Sequence, residues 1–176
     1  EADPSGVEPE AHRRIPPGGT MHVLLVEDHP INQQLTLELL RDIGVAADLA
    51  QNGMEAIEWL ERHEPDHYAL VLMDVQMPVL DGYETTKRLR ADPGYARLPI
   101  VAMTAHVTVE ERERCLALGM QGHLAKPIDP YELSRVVLSY YRRPPKTRDS
   151  DTAGAGERPL RSDRESDRLV GTGPFI

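Results

Sequence analysis

Residues 69–82 constrain the fold of this chain more than any other stretch. They open with an unbroken apolar run, 69–73, which is typical of a strand buried on both faces of a parallel sheet. The run ends at Asp74, and Pro78 with a later Asp-Gly pair predicts a loop directly after the strand. Asp74 is therefore expected at the carboxyl-terminal edge of a central strand, where open α/β sheets bind ligands.

The rest of the chain alternates strand and helix about five times. Further strands are predicted at 23–26, 45–49, 99–103 and 123–125, each followed by a helical pattern. The first helix carries an apolar residue at every fourth position, namely Ile31, Leu35, Leu39 and Ile43. Alternation of this kind indicates an α/β fold, a doubly wound five-stranded parallel sheet with helices on both faces.

Composition divides the chain into three parts. Residues 1–20 are rich in Pro, Gly and Glu and are predicted to be a flexible linker. One domain is expected at 21–143, and the charged residues 144–176, which lack an apolar period, are predicted to be a disordered tail. Because the sequence opens with Glu1 and not Met, it is also interpreted as a segment of a longer protein.

Charge and cysteine content exclude several classes of protein. The net charge of -9 argues against non-specific nucleic-acid binding. The single cysteine, Cys115, excludes an internal disulfide, fits a reducing cytoplasm and is interpreted as a packing residue. No apolar run approaches the ~18 residues of a membrane span, so no membrane contact is expected.

Polar residues that could carry chemistry follow the predicted strands. They are Glu27-Asp28, Asp74, Thr104 and Lys126, and all should gather at the same edge of the sheet. Carboxylates brought this close repel one another, and a hard divalent cation such as Mg²⁺ relieves that repulsion. With Lys126 as the compensating amine, the set describes a pocket for a transferred phosphoryl group, with Asp74 as nucleophile.

The same residues resemble the motifs of the receiver domains of bacterial two-component systems. The matching stretches are Val-Glu27-Asp28, Met73-Asp74, Met77-Pro78, Asp81-Gly82, Met103-Thr104-Ala105 and Lys126-Pro127. The resemblance covers residues 21–143 and implies the flavodoxin-like strand order 2-1-3-4-5. The stretches Pro30-Ile31-Asn32-Gln33 and Ala125-Lys126-Pro127-Ile128 are most similar to receivers of hybrid sensor histidine kinases.

The resemblance also implies a role for each residue. Asp74 would accept the phosphoryl group of a phosphohistidine on a histidine kinase or a histidine phosphotransfer domain. Asp28, Asp74 and the backbone carbonyl of Gln76 would hold Mg²⁺, and Glu27 would assist through water. Lys126 would contact the phosphoryl group, Thr104 would move toward it, and Gln76 and His106 occupy the positions that tune its loss. A cytoplasmic phosphorelay protein without direct nucleic-acid contact is expected, and a phosphorylation-dependent dimer is compatible with it.

Two positions depart from the family pattern. His123 stands where many receivers have a Tyr or Phe that switches conformation, and His29 replaces an Asn that is frequent after the acidic pair. The resemblance assigns His123 the switch role, whereas the residue pattern alone also fits a half-buried strand histidine.

Other classes of function remain open at this point. A phosphatase related to the haloacid dehalogenases would need a second Asp two residues after the nucleophile, where this chain has Gln76. A docking module without phosphorylation would be expected to lack the acidic pair or the lysine. No enzyme activity is expected beyond self-catalysed gain and loss of the phosphoryl group. His63 and His67 have metal-like spacing, but Pro65 between them argues against a metal site.

Overall fold

The computed structural model describes residues 14–142. They form a parallel sheet of five strands in the order β2-β1-β3-β4-β5, which confirms the predicted α/β fold. The strands are β1 (His22–Val26), β2 (Ala46–Ala50), β3 (Leu70–Asp74), β4 (Ile100–Thr104) and β5 (Gly122–Ala125). The α-helices are α1 (Pro30–Asp42), α2 (Gly53–Glu61), α3 (Gly82–Ala91), α4 (Val109–Ala117) and α5 (Pro130–Ser139), and a 3₁₀ turn spans Pro93–Tyr95.

The sheet separates two apolar clusters, one on each face. Strands β3 and β4 are buried along their whole length, as the unbroken apolar runs predict. Successive residues of β3 alternate between the clusters, so that Val71 and Met73 face one side while Leu70 and Leu72 face the other. Helices α2, α3 and α4 contribute to the first cluster, and α1 and α5 contribute to the second.

Helix α1 forms where the sequence predicts it but buries a different face. Ile31 is 70% exposed and Leu35 is 41% exposed, whereas Thr36 and Leu40 are buried. An apolar residue at every fourth position drifts by about 40° per step around a helix of 3.6 residues per turn. The row of apolar residues at every fourth position therefore turns away from the core near the start of α1. That start lies at the edge of the sheet that carries Asp74.

The described part of the chain begins before the first strand, within the segment predicted to be a linker. Ile15 is buried in the cluster shared by α1 and α5, and its backbone N–H donates to the carbonyl of Ile43 at 2.9 Å. The rest of the predicted linker, 1–13, lies outside the described residues, as does the predicted tail from 144 onward. None of the helices within residues 14–142 has the length and apolar character needed to cross a bilayer.

Candidate functional site

The carboxyl-terminal edge of the sheet collects the polar residues that follow the strands. Glu27 and Asp28 come directly after β1, and Asp74 ends β3. Thr104 ends β4 and Lys126 follows β5. Because β1, β3, β4 and β5 are neighbours in the parallel sheet, residues distant in sequence meet at this edge.

Three carboxylates form the centre of the site. Glu27, Asp28 and Asp74 each offer one carboxylate oxygen, and these oxygens all lie within 4.8 Å of one another. Glu27 is 1% exposed and Asp74 is 3% exposed, while Asp28 is half-buried. Burial and proximity make this group of negative charges costly unless cations or hydrogen-bond donors offset it.

Lys126 supplies a cation to two of the three carboxylates. Its Nζ atom lies 2.7 Å from Glu27 Oε2 and 2.8 Å from Asp74 Oδ2. Its backbone N–H donates to the carbonyl of Thr104 at 2.8 Å, which fixes the Lys126 backbone beside the end of β4. Burial lowers the pKa of Lys126, but the hydrogen bonds and charges of Asp74 and Glu27 outweigh burial and raise it, so the ammonium stays charged.

Asp74 is held at both of its carboxylate oxygens. Oδ2 faces Lys126, and Oδ1 accepts a hydrogen bond of 3.0 Å from the backbone N–H of Gln76. Burial raises the pKa of Asp74 above its usual range; Lys126 and the Gln76 N–H oppose that shift, and the nearby charge of Glu27 adds to it. The two contacts fix the orientation of a carboxylate that is short of solvation, as expected for a functional group.

Gly82 lets the next helix begin against this strand. A Cβ atom at position 82 would collide with the carbonyl oxygen of Asp74 and with the backbone of Val75. The backbone N–H of Gly82 donates to the carbonyl of Val75 at 3.2 Å, and the side chain of Asp81 accepts from the N–H of Glu84 as the helix cap. The Asp-Gly pair therefore closes the loop after Asp74 and starts α3.

The sequence of this sheet and its loops matches one known family. The model of that family, the response regulator receiver domain, matches residues 23–138. The chain belongs to this family.

Relatives and solved structures agree with that assignment. The sensor histidine kinase RcsC of Escherichia coli K12 is 35% identical over 148 residues, which are 84% of this chain but only 15% of RcsC. The crystal structure of the receiver domain of the sensor histidine kinase PA1611 from Pseudomonas aeruginosa has a magnesium ion in its active-site cleft. It is 40% identical, with a TM-score of 0.62 over 69% of this chain and 97% of that one.

A third similar structure contains a partner protein. The co-crystal structure of the Saccharomyces cerevisiae histidine phosphotransfer protein Ypd1 and the receiver domain of the response regulator Ssk1 matches with 30% identity and a TM-score of 0.63. The match covers 70% of this chain and 90% of that one.

Within residues 14–142 of this receiver domain, the side chains of Thr104 and His123 make no hydrogen bond with the three carboxylates. The Thr104 hydroxyl donates to the carbonyl of His106 at 3.0 Å and accepts from the His106 N–H at 3.1 Å. His123 is half-buried on β5, beside Ala102 of β4. The structure thus brings Glu27, Asp28, Asp74 and Lys126 together, and it places Thr104 and His123 on the neighbouring strands.

The donor set of this receiver domain fits a hard divalent cation. All three side chains offer carboxylate oxygens, the ligands that Mg²⁺ prefers. Within residues 14–142, the Asp28 carboxylate makes no hydrogen bond or ion pair with the protein, so it is available to a cation. No other group of three histidine, cysteine or acidic side chains in the described part of the chain meets the same distance requirement.

The histidines with metal-like spacing pack together instead. The rings of His63 and His67 stack with centroids 4.3 Å apart, at the edge of the sheet opposite Asp74, and the His22 ring lies 4.8 Å from that of His67. Their ring nitrogens do not form a compact ligand set. Cys115 is buried in the cluster covered by α2, α3 and α4, in agreement with its interpretation as a packing residue.

Proposed function

We propose that this receiver domain accepts a phosphoryl group on Asp74 from a phosphohistidine, with Mg²⁺ in the acidic group. The observation that carries the proposal is the geometry of Asp74. It is a buried carboxylate whose Oδ2 lies 2.8 Å from an ammonium, beside two further carboxylates that are suited to a divalent cation. The phosphoryl donor would be a histidine kinase or a histidine phosphotransfer domain, the class of protein seen with a receiver in the Ypd1–Ssk1 structure.

The chemistry follows from the charges around Asp74. A carboxylate oxygen of Asp74 attacks the phosphorus, the phosphorus–nitrogen bond of the donor breaks, and the imidazole leaves with the electron pair. Negative charge develops on the phosphoryl oxygens, and the Lys126 ammonium is already within hydrogen-bond distance of the nucleophile. Most of the catalysis of phosphoryl transfer comes from such positioning and charge stabilisation.

Mg²⁺ would be held by Asp28, Asp74 and the backbone carbonyl of Gln76, with Glu27 assisting through water. When bound, the cation neutralises charge on the phosphoryl oxygens. The protein's own contribution is to keep the carboxylates close together without the cation. It does so with Lys126, which offsets the repulsion between Glu27 and Asp74.

The response to phosphorylation would involve Thr104 and His123. Thr104 is at present bonded to the backbone of His106, so a move toward the phosphoryl group would break both of those hydrogen bonds and shift the loop before α4. His123 would then rotate and change the face formed by α4, β5 and α5. His123→Ala should reduce amide shifts in residues 108–141 on addition of beryllofluoride without changing Mg²⁺ affinity, whereas His123→Tyr should preserve them.

A phosphatase of the haloacid dehalogenase type is disfavoured by the site. Such an enzyme needs a carboxyl group two residues after the nucleophile, and Gln76 instead supplies only its backbone N–H to Asp74. A docking module that is never phosphorylated would have no use for the three carboxylates and the lysine that meet here. The favoured setting is a cytoplasmic phosphorelay, as part of a hybrid kinase or of a response regulator.

Intact mass spectrometry tests the proposal. Incubation with Mg²⁺ and acetyl phosphate should add one phosphoryl mass, which hydroxylamine should remove because an acyl phosphate is labile to it. Omission of Mg²⁺ should suppress the gain, and Asp28→Ala should require much more Mg²⁺ for the same gain. No gain at saturating Mg²⁺ and acetyl phosphate would argue for the docking module.

A further inference from the structure

The first turn of α1 holds Glu27 from two sides. Glu27 Oε2 faces Lys126, and Oε1 accepts hydrogen bonds from the backbone N–H of His29 at 3.1 Å and from Asn32 Nδ2 at 3.3 Å. The backbone carbonyl of Glu27 accepts a 2.7 Å hydrogen bond from Gln33 Nε2. Two neighbouring amide side chains of one helix are thus directed at the same buried acid.

This use of polar side chains sets α1 apart from the other helices. The N-cap side chains of α2, α3, α4 and α5 each accept a hydrogen bond from a backbone N–H of their own first turn. The N-cap of α1, His29, makes no such side-chain bond. The polar side chains at the start of α1 bind Glu27 instead, so they stabilise the acidic group and not the helix end.

The position of the Glu27 carboxylate matters to two other groups. Its oxygens lie within 4.8 Å of those of Asp28 and Asp74, and it shares the Lys126 ammonium with Asp74. If the carboxylate rotated away from Asn32, its distance to the cation site and to Lys126 would change together. A fixed rotamer for Glu27 therefore keeps the charge balance of the whole group.

We propose that Asn32 is a positioning residue for the metal site, which orients the Glu27 carboxylate while Gln33 fixes the Glu27 backbone. The proposal rests on the proposed function, because it assigns a role toward the Mg²⁺ that the acidic group would hold. Hydrogen-bond partners of metal ligands commonly change metal affinity by roughly 10–100-fold when removed. Glu27 would act on the cation through water, the Asn32 contact is long, and the backbone N–H of His29 remains when Asn32 is removed, so an effect below the lower limit is expected.

Mg²⁺ titration of the full chain, followed by calorimetry or by amide NMR shifts, tests this role. Asn32→Ala should raise the Mg²⁺ dissociation constant a few-fold, less than about 10-fold, and Gln33→Ala should shift it in the same direction. Gln34→Ala is the matched control, since Gln34 is an amide on the same helix that binds only the exposed Glu38. The control should keep the wild-type affinity.

A second readout separates positioning from a general loss of structure. Gln34→Ala should gain phosphate from acetyl phosphate with the wild-type dependence on Mg²⁺ concentration, whereas Asn32→Ala should need more Mg²⁺ to reach half of its own maximal rate. Asn32→Ala should still unfold in one cooperative transition, which a variant that fails to fold would not show. If wild type binds Mg²⁺ and Asn32→Ala binds it with equal affinity, the positioning role alone is overturned. A wild type that does not bind Mg²⁺ would overturn the proposed metal site first.

Discussion

At the scale of single residues, Val79 has the most unusual backbone in the described part of the chain. Its φ is 70°, and among residues 14–142 no other non-glycine residue has a positive φ. The backbone N–H of Leu80 donates to the carbonyl of Pro78 at 2.9 Å, so Val79 is the centre of a γ-turn of the rare, strained kind. Its side chain is 80% exposed, so packing offsets little of the strain.

Val79→Gly should therefore stabilise the fold. Relief of the left-handed conformation is worth about 1–2 kcal/mol, and the greater freedom of glycine in the unfolded chain removes about 0.5–1 kcal/mol of that. Since 1 kcal/mol moves the melting temperature by about 4 °C at this domain size, thermal unfolding should occur a few degrees higher. Val107→Gly, in a loop with ordinary φ, is the control and should lower the melting temperature. A melting temperature for Val79→Gly below that of wild type would contradict the strain.

At the scale of elements, side chains join segments that are far apart in sequence. Arg90 of α3 donates to the carbonyls of Tyr95, Leu98 and Gly119 and so ties α3 to the turn that follows it and to the end of α4. The Arg114 guanidinium of α4 lies 3.8 Å from the centroid of the Tyr83 ring of α3. Hydrogen bonds and stacking thus fix the helices on this face relative to one another.

The rings of His22, His63 and His67 form a cluster that joins the loop before β3 to the start of β1. His67 lies in contact with His22 and His63, and no ring nitrogen of His67 has a hydrogen-bond partner in residues 14–142. Burial lowers the pKa of His67 below its usual value of 6.5, and the charges of His63 and His22 lower it further. Asp48 and Asp66 oppose the shift without cancelling it.

The lowered pKa of His67 predicts a dependence of stability on pH. The unfolded chain binds a proton at this residue near pH 6.5, whereas the folded chain binds it only at lower pH. The stability that the neutral form of His67 contributes to the fold is therefore complete above pH 6.5. It is lost as the pH falls through the pKa of His67 in the folded chain. Urea unfolding between pH 8 and about pH 5 should show a steeper loss for wild type than for His67→Gln.

Gln34→Ala, which removes no titratable group, is the control for that experiment. It should keep the wild-type dependence on pH. If His67→Gln lost stability as steeply as wild type over this range, protonation of His67 would not be the cause.

At the scale of the whole molecule, the sequence predicts the sheet and most of the acidic site. The apolar runs end at Asp74 and Thr104, and parallel strands bring their carboxyl ends to one edge, so residues after the strands can be assigned to one site. Contacts between side chains of different elements leave no periodic signal. The Asn32 and Gln33 bonds to Glu27 and the Arg90 bonds to the end of α4 therefore appear only in the structure.

Boundaries were also less predictable than elements. Pro and Gly content predicts a linker through Thr20, yet Ile15 is buried in the cluster shared by α1 and α5. The sequence does not reveal this, because a single apolar residue does not form a pattern. The four-residue stripe of α1 predicts the helix but not which face is buried. The burial of Ile15 and the buried face of α1 both depend on the surface against which they pack. The local sequence does not specify that surface.

Asp74 is the residue that we propose carries the phosphoryl group. After incubation with Mg²⁺ and acetyl phosphate, borohydride should reduce the acyl phosphate to an alcohol, which peptide mass spectrometry can locate. This assignment to Asp74 predicts the reduced side chain at position 74 in wild type and none in Asp74→Asn, whose folded structure should persist because the amide keeps the shape of the carboxylate. A reduced side chain at Glu27 or Asp28 in wild type, or undiminished phosphate in Asp74→Asn, would contradict it.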